Sequence, residues 1–178
     1  MALAVLYLLL AIRQQPACWL AGALSAVLYA FVLAEADLYM EAALQGFYVA
    51  MAGYGFWQWR HGGGGGTLAV TRSSWQQHVA LLAVVALVTL AAGSLLARYT
   101  AAALPFIDSA IAFASLAATW LTARKWLSNW FWWFAIDAAS VGVYVERGLY
   151  ATAALFGLYL VLIIVGYRAW RRTLLPAT

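Results

Sequence analysis

The sequence predicts an all-α membrane protein of seven transmembrane helices arranged as a parallel 3+1+3 repeat. Three observations carry that prediction. The 178 residues are 67% hydrophobic and only 9% charged, with a mean hydropathy of +0.86. A water-soluble domain carries about 25% charged residues, so this pool cannot clothe a soluble surface. Apolar runs of spanning length recur from one end of the chain to the other. Finally, residues 2–60 slide onto residues 113–171 with a constant offset of 111 and no gap. Arg13, Trp19, Glu35, Tyr39, Gly46, Tyr48, Gly55, Trp59 and Arg60 fall on Arg124, Trp130, Glu146, Tyr150, Gly157, Tyr159, Gly166, Trp170 and Arg171. Chance agreement between apolar helices comes from Ala and Leu, not from Trp, Tyr, Gly, Arg and Glu.

A hydrocarbon core of about 30 Å takes about 20 helical residues. Against that length, segments 2–12, 19–33, 40–59, 79–97, 104–123, 130–145 and 150–170 read as helices. The first is short, because 11 residues rise only about 17 Å. The start of its mate, 104–123, has its counterpart at residue −7, so the first helix looks about seven or eight residues short, and the reading frame or the biological chain is expected to begin upstream of Met1. Segment 104–123 opens with Pro105 and carries Asp108 in its first turn, both ordinary helix-start signals. Most connections are short, so neighbouring helices run antiparallel. The exception follows Arg60 and contains glycines 62–66. Such a run reads as flexible linker. With no strand before it and no Lys-Ser/Thr after it, it is not a phosphate cradle. The domains expected are 1–60, a first three-helix repeat with a truncated first helix; 61–103, a Gly-rich cytoplasmic linker and linker helix; and 104–178, a second three-helix repeat with a basic tail. The second copy starts four helices after the first. An even number restores direction, so the copies run parallel about a pseudo-two-fold axis along the membrane normal.

Lys and Arg placement orients the chain. Arg13, Arg60, Arg72, Arg124, Lys125, Arg168, Arg171 and Arg172 fall on one side of the membrane, against Arg98 and Arg147 on the other. The basic side is cytoplasmic, with the N-terminus outside and the C-terminus inside. There is no cleavable signal-peptide pattern, since the first helix lacks a basic n-region. The net charge of +4 does not point to nucleic acid, because the basic residues stand singly between apolar runs. Cys18 has no disulfide partner, and neither it nor His61 or His78 sits in a metal-ligand spacing. No cofactor or metal is expected.

Ionisable groups inside a membrane are candidate functional residues, because each costs about 2.5 kcal/mol or more at the centre of a lone helix. Asp137 lies eight residues inside the sixth helix, near mid-depth. Trp130, Trp133, Asp137 and Tyr144 recur at helical spacing and share one face, which must point into the bundle. Asp137 either lines a site or is a buried structural group satisfied by neighbouring donors. Gln45 is polar where its mate is Phe156, which suits hydrogen bonding to a ligand. Asn129 is either a helix cap or a site residue. Trp19, Trp59, Tyr99, Tyr150 and Trp170 sit at helix ends and read as interfacial belt residues. Trp120, Trp133, Tyr48 and Tyr159 lie deeper. Deep aromatics with one carboxylate favour a flat cationic ring, through stacking and cation–π attraction. Gly46, Gly55, Gly157 and Gly166 read as points of close helix approach. Glu35, Asp37, Glu41 and Glu146 lie at outer helix ends as solvated groups.

Several of these stretches resemble the PnuC family of vitamin transporters. They are Pro105-Phe-Ile-Asp108, Trp120-Leu-Thr-Ala-Arg-Lys125, Asn129-Trp-Phe-Trp-Trp133 with Asp137, Gly148-Leu-Tyr150 and Gly166-Tyr-Arg-Ala-Trp170-Arg in the second half. In the first half they are Trp19, Ala36-Asp-Leu-Tyr39 and Gly55-Phe-Trp-Gln-Trp59-Arg60. The resemblance implies a fold similar to SWEET sugar transporters and uptake of nicotinamide riboside, a vitamin B3 form and NAD precursor. It implies facilitated diffusion, with a cytoplasmic kinase trapping the substrate as its phosphate. Close relatives in the family carry thiamine instead. Both substrates present a cationic aromatic ring, which the aromatic-plus-Asp face suits.

The expected site therefore comprises Gln45, Tyr48, Trp120, Asn129, Trp133, Asp137, Tyr144 and Tyr159. Trp120 and Trp133 would stack on the ring. Asp137, Asn129 and Gln45 would hydrogen-bond its polar groups, and Tyr48 and Tyr159 would line the path. No paired carboxylates, His chain or sodium site stands out, which favours a uniporter. A sugar transporter of similar fold is the competing reading within the class. A membrane enzyme or sensor is disfavoured, since there is no nucleophile–base pair, metal set or soluble output domain.

Overall fold

The computed structural model describes residues 2–35, 39–64, 66–100 and 104–174. They form seven helices: α1 (Ala2–Ile12), α2 (Ala17–Glu35), α3 (Tyr39–His61), α4 (Trp75–Tyr99), α5 (Pro105–Ala123), α6 (Asn129–Glu146) and α7 (Tyr150–Arg172). Each expected segment is helical, and most extend past their apolar runs. The helix α4 begins four residues early because Ser74 and Gln77 form a capping box. The Gln77 amide donates to Ser74 Oγ at 3.2 Å, and the Ser74 amide to Gln77 Oε1 at 2.8 Å. Residues 36–38, which include Asp37, and the side chain of Glu41 lie outside the described residues. No strand occurs among the described residues; Thr71 and Trp126 meet in an isolated parallel bridge.

Four helices, α2, α4, α5 and α7, are long and apolar enough to cross a membrane by length and composition. The helix α1 has 11 residues. The helices α3 and α6, with 23 and 18 residues, have the length but a more polar and aromatic composition. Along the bundle α1 packs on α2, α2 on α3 and α3 on α5; α5 packs on α6, α6 on α7 and α7 on α1. Under the offset of 111, α1, α2 and α3 correspond to α5, α6 and α7, so the helix pairings α1 on α2 and α2 on α3 recur as α5 on α6 and α6 on α7. The helix α4 packs only on α5 among the described residues.

The centre of the bundle is aromatic. Trp19, Trp59, Trp170 and Trp130 run in a line of edge-to-face contacts, with centroids 5.6, 5.7 and 5.3 Å apart. Trp59 Nε1 donates to the Thr122 carbonyl at 3.1 Å, and Trp170 Nε1 to the Ala11 carbonyl at 3.0 Å. Donors and acceptors are both related by the offset of 111. Gly55 and Gly166 make room for this cluster. A Cβ on Gly55 would sit 2.3 Å from the Trp19 ring, and one on Gly166 2.2 Å from the Trp130 ring. Gly46 and Gly157 differ from expectation, since nothing lies within 4 Å of a Cβ at either. Trp19, Trp59 and Trp170 also differ: they are buried core residues, not belt residues. The indoles of Trp59 and Trp170 turn inward, where each donates to a helix-end carbonyl. Tyr99 and Tyr150 are exposed at helix ends, as a belt requires.

The turns after α1 and α5 match as well. Gln14 and Lys125 both adopt left-handed backbone angles, φ 55° and 49°, which non-glycine residues seldom take. Lys125 is only 4% exposed. Its Nζ donates to the Leu68 carbonyl at 2.9 Å and to Gln14 Oε1 at 3.4 Å, and lies 4.6 Å from the centroid of the Trp59 ring. Burial pushes its pKa below the ordinary lysine value. At the opposite end, Arg147 Nη2 reaches both oxygens of Asp108 at 3.2 Å, tying the start of α5 to the end of α6. Asp108 is thus both a first-turn acid and an ion-pair partner.

Gly55→Ala and Gly166→Ala should lower thermal stability in detergent, since overpacking a filled site costs about 1–3 kcal/mol. Gly46→Ala and Gly157→Ala should leave the unfolding temperature unchanged. Equal losses at all four positions, measured by scanning fluorimetry, would contradict this packing.

Candidate functional site

A cavity of about 320 Å³ lies between α1, α3, α5, α6 and α7. That is at the low end of the range for small-molecule sites, about 300–1,000 Å³. One face of α6 supplies Asn129, Trp130, Trp133, Ile136, Asp137, Ser140 and Tyr144. The spacing read from the sequence therefore points the way it predicts. The helix α5 adds Ile111, Ser115 and Thr122; α7 adds Phe156, Tyr159 and Ile163; α3 adds Tyr48; and α1 closes the wall with Ala4, Tyr7, Leu8 and Ala11. A second cavity of about 190 Å³ shares Ala4, Tyr7, Tyr48 and Trp133 with the first and adds Trp19, Gly22, Ser25, Ala26, Gln45, Ala52 and Thr119.

Six of the eight expected site residues line the larger cavity: Tyr48, Asn129, Trp133, Asp137, Tyr144 and Tyr159. Gln45 lines the smaller one. Trp120 lines neither, which corrects the expectation that it stacks on a ring. Thr119 and Thr122 take the inward side of α5, so Trp120 falls on its flank. There it packs on Trp126, with centroids 5.1 Å apart, and the Arg124 guanidinium lies 5.8 Å from its ring. Sequence reasoning missed Tyr7, Ser115, Thr119, Thr122 and Ser140. The signal was present: Ser115, Thr119 and Thr122 stand at helical spacing as the polar stripe of an otherwise apolar helix.

The hydrogen bonds decide what the cavity offers. Ser115, Ser140 and Thr122 donate their hydroxyl protons to their own helix backbone at 2.7, 2.9 and 2.8 Å. Their lone pairs remain as acceptors. Trp133 Nε1 uses one of these at Thr122, 3.1 Å away. Thr122 Oγ1 also lies 3.3 Å from Asn129 Oδ1, while Asn129 Nδ2 donates to the Trp126 carbonyl at 2.6 Å. Asn129 is therefore an anchored wall residue, not a helix cap. Asp137 is 6% exposed and makes no hydrogen bond or ion pair with another described residue. It lies close enough to Tyr159 to interact electrostatically. A carboxylate in an apolar membrane interior requires a cation or a donor. Trp130 Nε1 is a buried donor without a partner, and so is its counterpart Trp19 Nε1 in the smaller cavity. Tyr144, Phe156 and Tyr159 form an aromatic wall, with successive centroids 5.2 and 5.5 Å apart. The arrangement accepts hydrogen bonds, carries one carboxylate and presents ring faces. No group of three or more His, Cys, Asp or Glu able to hold a metal occurs among the described residues.

Comparison with known proteins agrees with this architecture. The sequence profile described as "Nicotinamide mononucleotide transporter" matches residues 1–172. The riboflavin/roseoflavin transporter RibM of Streptomyces davaonensis is 27% identical over 134 residues, covering 73% of this chain and 63% of its own. The nicotinamide riboside transporter PnuC of Escherichia coli is 32% identical over 68 residues, covering 38% of this chain and 28% of its own. The chain thus spans less than two thirds of the length of these relatives. The crystal structure of a vitamin B3 transporter PnuC superposes with a TM-score of 0.73 at 19% identity, covering 96% of this chain and 78% of that one. That likeness shows the fold.

Asp137→Asn should leave the unliganded protein as stable as before, or more so, because a buried carboxylate without partners is itself destabilising. A drop of several degrees in the unfolding temperature would assign Asp137 a structural role instead.

Proposed function

The chain belongs to the nicotinamide mononucleotide transporter family, and from that premise we propose that it takes up nicotinamide riboside by facilitated diffusion. The observation that carries the proposal is Asp137, without an ion pair or hydrogen bond among the described residues, in an acceptor-lined aromatic cavity. A pyridinium ring supplies the missing positive charge and a flat face, and ribose hydroxyls donate to the free lone pairs. No Lys, Arg or His occurs among the described residues lining either cavity. A phosphate would find no cation there and would face the carboxylate, which favours the nucleoside over its nucleotide.

The substrate binds at the boundary of two parallel halves, 1–60 and 104–178, joined by the linker and helix of 61–103. The matched contacts at an offset of 111 support that 3+1+3 arrangement, and such repeats serve alternating access in transporters. The basic side faces the cytoplasm, supported by the eight-to-two division of Lys and Arg. A cytoplasmic kinase then traps the substrate as its phosphate, so transport needs no ion gradient.

Thiamine, also a cationic ring, is the second reading. The RibM relative adds riboflavin, a larger and neutral ring. A sugar would bring hydroxyl donors to Asp137 but no positive charge.

Purified protein should be stabilised against heat by nicotinamide riboside, with thiamine and riboflavin as comparisons. Asp137→Asn should weaken binding of the cations about tenfold or more, the scale of one lost charge-assisted hydrogen bond, and spare riboflavin. If all three ligands were silent, the vitamin reading would fail. In kinase-free vesicles uptake should stop at equal concentrations; accumulation against the gradient would rule out uniport.

A further inference from the structure

We propose that residues 68–73 are the inner gate of the transport path, a strap that must leave its seat before a ligand held at Asp137 can pass to the basic side. The proposal rests on the transporter reading given above. Below the larger cavity the path is closed in layers. Thr122, Asn129, Trp130 and Ala11 form its floor. Trp59 and Trp170 lie against that floor, bonded to the carbonyls of Thr122 and Ala11. Val70, from the strap, completes the same buried cluster, together with Ala123 and Leu127. Val70 is 1% exposed, although Thr71 and Arg72 beside it are exposed. One apolar side chain from a loop therefore plugs the apolar centre of the bundle.

The seat is built. The Leu68 amide donates to the Trp59 carbonyl at 3.2 Å, and the Leu68 carbonyl accepts from Lys125 Nζ at 2.9 Å. The Thr71 amide donates to the Lys125 carbonyl at 3.2 Å, and the Leu127 amide to the Thr71 carbonyl at 2.9 Å. Ser73 Oγ lies 2.8 Å from Ser128 Oγ and also pairs with His78 Nε2. All these bonds join the strap to its own helix ends or to the α5–α6 turn. Lys125 is the hub, because the same ammonium reaches Gln14 at the end of α1 and lies over Trp59. Lifting the strap therefore frees Lys125 from Leu68 and uncovers the Trp59–Trp170 pair together.

The strap also has a hinge. The described glycines make a tight reversal there. A Cβ on Gly62 would lie 2.5 Å from the Gln58 carbonyl oxygen, and one on Gly63 2.5 Å from that of Thr67. Gly64 has φ 61°, a left-handed angle that glycine adopts without penalty. The far end is fixed by the capping box at Ser74.

Two measurements test the gate. Thr71 faces Trp126 across the bridge, so Thr71→Cys with Trp126→Cys, in a Cys18→Ala background, can lock the strap by oxidation. In the locked protein, nicotinamide riboside should still raise thermal stability while its uptake into vesicles falls about tenfold or more, as for a blocked gating step. Reductant should restore uptake. A verified cross-link with unlocked uptake rates would overturn the proposal. Separately, Val70→Cys should react with a membrane-impermeant maleimide about tenfold more slowly than exposed Arg72→Cys, as for transient opening. Equal rates would overturn it too. If neither binding nor uptake is seen in the unlocked protein, the substrate reading fails, and the labelling rates still judge the strap.

Discussion

The bundle depends on two crossed hydrogen bonds. A carbonyl oxygen has two lone pairs, and in a membrane interior there is no water to fill the second. Thr122 and Ala11, near the ends of α5 and α1, each accept a turn amide, from Lys125 at 3.0 Å and Gln14 at 2.9 Å. Each takes a further bond from an indole near the end of a helix from the other half, Trp59 and Trp170 respectively. Burying those indoles requires the four-tryptophan line, and the line requires Gly55 and Gly166, where a methyl group would strike a ring. Thr122 then joins this frame to the cavity, since its hydroxyl oxygen receives Trp133 Nε1.

On that matched frame the chemistry sits where equivalent positions differ. Asp137 and Phe156 line the larger cavity, and their counterparts Ala26 and Gln45 line the smaller one. One side therefore carries charge and aromatic surface, the other a neutral amide with Ser25 and Thr119. The buried donors Trp19 Nε1 and Trp130 Nε1 are the part held in common. Symmetry supplies the two spaces and divergence assigns them different tasks.

Local pattern revealed some of this and not the rest, for a physical reason. Helical spacing within eighteen residues fixes which side chains share a face, so Trp133, Asp137 and Tyr144 were readable as one wall. Whether a helix-end tryptophan turns to lipid or inward depends on an acceptor far away in the chain. For Trp59 that acceptor is Thr122, and for Trp170 it is Ala11; composition alone made both look like belt residues. Trp120 failed for the related reason that a deep aromatic has to be placed on a face by its polar neighbours, here Thr119 and Thr122. The reversal at the glycines was not legible because the atoms that define it, such as the Thr67 carbonyl beside Gly63, come close only once the chain has folded back.

Gln14 and Lys125 occupy matching places in the two halves and also touch each other, at 3.4 Å. Such a position lies on the axis and meets its own copy. An assembly of two identical chains would have to place the same residue there twice. Two lysines would set ammonium groups against one another in a buried setting. Two glutamines would leave Trp59 without its cation and the Leu68 carbonyl without its ammonium donor. The mixed pair is open only to a chain that encodes the two positions separately. A single chain can therefore carry one positive charge at the place where its two matched turns meet.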